Sequence, residues 1–141
     1  MAVQIKRTRN KVMSEYKTEP YKDVNNPQYT FHKLYVDGVC HFDEFLTAIE
    51  KNAADKKLFN YIIHYMDALT DQNRFPSTKF NHIEDDNRSD IFEFKKDRLR
   101  VYVIKQKPNF FIIIGGYKGK QKKDIKVLKS LIMDFPKAYE L

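Results

Sequence analysis

Two basic segments of this chain hold the residue types that work on a phosphodiester would need. The first is Phe92-Glu93-Phe94-Lys95-Lys96-Asp97-Arg98-Leu99-Arg100-Val101-Tyr102. The second runs from Ile112 through Gly115-Gly116-Tyr117-Lys118-Gly119-Lys120-Gln121-Lys122-Lys123. Cations hold phosphates and a ring stacks on a base, so the combination suits single-stranded RNA. It also suits a metal-free cleavage in which a 2′-hydroxyl attacks the adjacent phosphate. Such a step needs a proton acceptor, stabilisation of the non-bridging oxygens and a donor for the leaving 5′-oxygen. Crowded lysines could take the proton, because like charge lowers a lysine pKa toward neutrality. Arg100, whose guanidinium stays protonated, would clamp the charge. The plainer alternative for each side chain is a solvated sheet face, with Tyr102 and Tyr117 as core edges.

Charge distribution gives the same segments weight. Residues 90 to 130 carry 12 Lys or Arg against Asp90, Glu93, Asp97 and Asp124, a local +8, while the whole 141-residue chain carries +7. A polyanion-binding face would have this asymmetry. Other chemistries find little support. The four histidines, His32, His41, His64 and His82, form no paired-ligand spacing, and His64 falls between helix faces as a structural residue. The lone Cys40 excludes a disulfide framework and a cysteine metal site, and suits a small buried position. Gly115, Gly116 and Gly119 lack the Gly-Lys-Ser/Thr ending of a phosphate loop. No metal or cofactor is therefore expected. The N-terminus lacks an apolar run of signal-peptide length, and no stretch approaches the ~20 apolar residues of a membrane span, so a reducing cytoplasm is the expected setting.

The elements that must position these residues follow from hydrophobic period. Residues 1–28 lack sustained periodicity and carry Lys6, Arg7, Arg9 and Lys11, which predicts an N-terminal arm or edge element; residues 29–141 form the single domain. Thr30 to Cys40 predicts a strand pair turning at Asp37-Gly38. Phe42, Phe45, Leu46 and Ile49 keep helical spacing, as do Leu58, Tyr61, Ile62, Tyr65 and Leu69, with Asn52 or Asp55 as cap. A helical hairpin is the simplest packing, one bent helix the alternative. A loop through Asn73, Pro76 and Asn81 leads to three strands: Phe92 to Lys95, Leu99 to Val103 with Arg98, Arg100 and Tyr102 on the other face, and Phe110 to Ile114. A last helix begins at Asp124 and Pro136 stops it. The expected fold is α+β, a helical hairpin on a small antiparallel sheet (a three-stranded meander plus an N-terminal strand) with a C-terminal helix.

The stretch from about Ile91 to Phe135 resembles the C-terminal half of the RelE/HigB-like toxin superfamily, in particular its phage-derived, Gp49-like branch. Glu93-Phe94-Lys95 stands where that branch has Glu-Leu-Arg, Arg100 where it has a strand arginine, and Gly116-Tyr117-Lys118-Gly119-Lys120-Gln121 where it has Gly-Phe-Lys-Lys and a Lys- and Gln-containing run. The resemblance implies a compact sheet flanked by helices. It implies a metal-independent, ribosome-dependent mRNA endoribonuclease of a type II toxin–antitoxin system, with mRNA, the ribosome and a small helix-turn-helix antitoxin as partners. It assigns catalysis to Lys95, Arg100, Tyr117 and Lys118, and leaves Lys96, Arg98, Tyr102, Lys120, Lys122 and Lys123 as RNA contacts. Gly115 stands where many relatives have His, and Gly119 where a second Lys is common. Those departures favour a second expectation, a non-catalytic nucleic-acid or ribosome-binding module of the same fold. A ParE-like topoisomerase inhibitor is the third.

Overall fold

Six strands form in the computed structural model, which describes residues 13–137. They are β1 (Tyr16–Pro20), β2 (Thr30–Val36), β3 (Phe80–His82), β4 (Ile91–Lys96), β5 (Leu99–Gln106) and β6 (Asn109–Tyr117). Helices α1 (His41–Glu50) and α2 (Ala53–Ala68) lie between β2 and β3, and α3 (Gln121–Leu131) follows β6. In space the strands run β1-β2-β6-β5-β4-β3. Neighbours pair antiparallel except β2 and β6, which run parallel from Thr30 beside Asn109 to Lys33 beside Ile112.

The fold is α+β, but its sheet is mixed and has six strands where the sequence predicts an antiparallel sheet of four. β3 is only three residues long and falls within the predicted loop, too short to show alternation. The predicted hairpin of residues 30–40 keeps its turn, with φ of 50° at Asp37 and 82° at Gly38, yet its second arm shrinks to one bridge between Val36 and Val39. β2 is paired on both sides by β1 and β6 instead. Within the predicted arm, Tyr16–Pro20 is the edge strand, and Tyr21 is buried edge-on against Phe42, centroids 5.4 Å apart. Lys6, Arg7, Arg9 and Lys11 lie outside the described residues. The last helix begins at Gln121, one turn ahead of Asp124.

Two cores form, one on each face of the sheet. Under α1 and α2, Phe42, Phe45, Phe59 and Ile62 pack on Phe31, Phe94, Val101, Val103 and Phe110. Phe31 stacks on Phe110 at 4.7 Å. Under α3, Leu128, Ile132 and Phe135 cover Leu34, Ile91, Tyr102, Ile104 and Ile113. Asn52 caps α2 by accepting from the Asp55 N–H at 3.0 Å. Cys40 is buried immediately before α1, and burial pushes its thiol pKa up. The segment that follows α3 is held by Arg88, which donates to the carbonyls of Phe135 (2.6 Å) and Pro136 (3.2 Å) while paired with Asp90. No helix among the described residues is long and apolar enough to cross a membrane.

A bulge sets which way the basic end faces. Tyr102 pairs with Ile114 but Val103 with Ile112, so Ile113 is an extra residue and the strand's phase inverts after it. Gly115 consequently lies beneath α1, where a Cβ would overlap the Phe45 ring, and Gly116 lies beneath α3, where a Cβ would overlap the Asp124 carboxylate. Gly115→Ala should therefore lower stability by about 1–3 kcal/mol through overpacking. Urea unfolding checks this: the midpoint should fall, and Phe45→Leu added to Gly115→Ala should recover part of the loss.

Candidate nucleic-acid interface

The β4–β5 turn and the β6–α3 loop meet at one end of the sheet. Leu99 pairs with Tyr117, and the Lys118 N–H donates to the Arg98 carbonyl at 2.7 Å. Positive φ at Asp97 (51°) and Gly119 (93°) turns each connection sharply. The rim so made presents Arg98, Lys118, Lys120, Lys122 and Lys123 to solvent, with Lys95 and Lys96 half-buried behind them.

Asp55 ties this rim to the helical layer. Only 5% exposed, it lies in the first turn of α2 and accepts from Arg98 Nε at 2.7 Å and Tyr117 Oη at 3.4 Å, with Arg98 Nη2 paired to the same carboxylate. Burial, then the Asp55 charge, raises the Tyr117 pKa, so its hydroxyl stays a donor. The Tyr117 ring leans on Phe45 at 5.9 Å. The sequence offers Asp55 only as an alternative cap to Asn52, which takes that place, and not as the anchor of the rim. Its signal is an acid in phase with the apolar stripe, three, four and seven residues ahead of Leu58, Phe59 and Ile62.

The structure divides the remaining predicted residues between the sheet's faces. Lys95 lies opposite Arg100, as strand pairing predicts. Lys96 points the other way, its ammonium 4.4 Å from the Tyr61 ring centre on α2, so Lys95 and Lys96 do not crowd one another. Arg98 joins the α2 side through Asp55, not the face of Arg100 and Tyr102 that alternation predicts. Its place in the turn frees it from the strand's phase. Arg100 is 7% exposed and turned inward. Its Nη1 donates to the carbonyls of Asp97 (2.7 Å) and Leu99 (2.8 Å), and its Nε lies 3.6 Å from Glu93, itself 5% exposed. The arginine read as a solvent-facing clamp is thus a brace for the turn and the counter-charge of a buried glutamate. Tyr102 is corrected too: fully buried, with its pKa raised by burial, it presents no ring to a base. His64 is exposed rather than enclosed between helices. Among the described residues no group of three or more His, Cys, Asp or Glu is placed to hold a metal.

Above Arg100 and Gly116, the first turn of α3 brings in Gln121, whose Nε2 approaches Glu93 at 3.4 Å, and Asp124. Asp124 Oδ2 is buried without a hydrogen-bond partner among the described residues, and burial raises its pKa despite Lys123 and Lys120 nearby. Comparison with protein-family models, curated proteins and solved structures returns no match to this chain.

A pKa raised on folding means the protonated Asp124 carboxyl is favoured in the native state. Its contribution is present below the ordinary value of 3.8 and is lost as pH rises through the higher native value. Asp124→Asn should therefore melt above the parent chain at neutral pH, with the gap closing toward pH 3. A gap that widened in acid would reverse the assignment; melting temperature against pH decides it.

Proposed function

We propose that the chain binds single-stranded RNA, free or on the ribosome, through the rim of Arg98, Lys118, Lys120, Lys122 and Lys123. One observation carries this: cations from two separate connections meet at one sheet end, joined by the Lys118-to-Arg98 backbone bond, with Arg98 held on Asp55. Five exposed positive groups on a fixed scaffold suit a phosphate backbone, whose affinity comes chiefly from counterion release. Tyr117 supplies a half-buried ring at the same edge.

The endoribonuclease reading ranks second. A compact sheet flanked by helices is what the RelE/HigB resemblance implies, and Lys95 opposite Arg100 is a pairing its catalysis would use. Against cleavage stands the inward Arg100, paired with Glu93 and bonded to two carbonyls; releasing it would leave a buried carboxylate unpaired. Binding without cutting fits this geometry better. The toxin reading would bring with it an antitoxin partner and a ribosomal substrate.

Lys118→Glu combined with Lys122→Glu should weaken single-stranded RNA binding about tenfold or more near 0.1 M salt and flatten the dependence of log K on log salt. Fluorescence anisotropy across a salt series measures both. Unchanged affinity and slope would remove the rim from RNA binding. Expression of the parent chain alone separates the two readings: intact mRNA supports a binding module, whereas cleavage lost in Lys118→Ala supports the nuclease. Gyrase supercoiling measured beside it tests the ParE-like alternative.

A further inference from the structure

At the opposite end of β5 from the rim, a cavity of about 250 Å³ opens between the end of α2, the loop that follows it and the sheet. Tyr29, Phe75 and Phe80 supply rings to its wall; Arg74 and Lys105 supply charge. The rings are fixed by packing: Phe75 lies 5.3 Å from Tyr65, and Phe80 stacks on Phe92 at 4.9 Å with the planes 4° apart. The Lys105 ammonium stands 5.6 Å from the Tyr29 ring centre and 5.7 Å from that of Phe92.

The charge balance makes this cavity more than a packing gap. Its one acid, Asp71, is already occupied. It pairs with Lys107 and accepts from Tyr29 Oη at 2.6 Å and Gln28 Nε2 at 2.8 Å, and these donors, Lys107 foremost, hold its carboxyl well below the usual range. Tyr29, its pKa pushed up to about 12 by burial and by Asp71, stays a donor and keeps that wall in place. Among the described residues neither Arg74 nor Lys105 has a carboxylate partner. Two uncompensated cations therefore flank fixed aromatic surface. The volume falls below that of common drug-sized sites, so it admits one flat ring system.

We propose that this cavity is a nucleotide site, in which a base lies against Phe75 and Phe80 and its phosphate meets Arg74 and Lys105. Stacking and cation–phosphate pairing are the two forces such a ligand needs, and each has its own residues here. The ligand could be a free nucleoside 5′-monophosphate or the phosphorylated end of an RNA strand; the chemistry is shared. The site is separate from the rim, and neither needs the other.

Titration of the ¹⁵N-labelled chain with adenosine and cytidine 5′-monophosphates, the bare nucleosides and inorganic phosphate tests it. The monophosphates should move amides of residues 70–80 and Lys105, and bind about tenfold tighter than nucleoside or phosphate alone. Arg74→Ala and Phe75→Leu should each weaken nucleotide binding about tenfold with the fold retained by melting. An RNA dodecamer bearing a 5′-phosphate that moves the same amides and competes with the mononucleotide identifies the strand end as the source; shifts from the mononucleotide alone identify the free nucleotide. Phosphate binding as tightly as nucleotide, no effect of Phe75→Leu, or no shifts in this region with any probe would each overturn the proposal. Arg74→Ala should leave rim binding of unphosphorylated RNA intact, so the two sites can fail independently.

Discussion

Two missing methyl groups govern how this molecule is put together. β6 runs through the middle of the sheet, and at Gly115 and Gly116 helices press on it from opposite faces at successive residues. Phe45 occupies the space of one absent side chain and Asp124 that of the other. A larger residue at Gly115 would have to displace the Phe45 ring, and one at Gly116 the Asp124 carboxylate. The bulge at Ile113 is the complementary device, since it decides which helix each glycine meets. Tyr117 inherits its direction from the same inversion and so reaches Asp55 rather than the underside of α3.

Buried charge follows a matching division. On the face of α1 and α2, Asp55 collects Arg98 and Tyr117; on the α3 face, Glu93 collects Arg100, with Gln121 and Asn81 close by. Each is a nearly enclosed carboxylate that would be costly if left alone; Asp55 is compensated by Arg98 from the β4–β5 turn and Glu93 by Arg100 from β5. The basic rim is thereby anchored from below on both sides. Arg98 serves both roles, held on Asp55 while exposed at the rim, and among the described residues Lys118, Lys120, Lys122 and Lys123 of the rim form no salt bridge.

Much of the scaffold was legible in the chain. The helical stripes of residues 42–69 and the alternation from Phe92 to Val103 come from local period, which burial on one face enforces. The opposition of Lys95 and Arg100 follows from a two-residue turn. What escaped depended on distance along the chain. β3 carries no period at three residues, β1 reads Tyr-Lys-Thr-Glu-Pro with one half-covered position, and the parallel seat of β2 beside β6 joins segments some eighty residues apart. Exposure of arginines escaped for a related reason. Alternation gives the face of Arg100 correctly but not that α3 and Glu93 close over it, and Arg98 obeys its turn rather than the strand. The cavity at Arg74 is assembled from four chain segments, none of which has a pattern of its own.

Among the described residues the two outermost strands leave little for another sheet to add to. β1 ends in Pro20, which cannot donate, and carries Lys17 and Glu19 outward; β3 offers only three residues of free backbone. A chain with twenty aromatic residues and a long continuous apolar strand would otherwise be a ready template for fibrous stacking. Confining that strand to the centre and leaving short or charged borders keeps its most adhesive backbone out of reach of neighbouring copies.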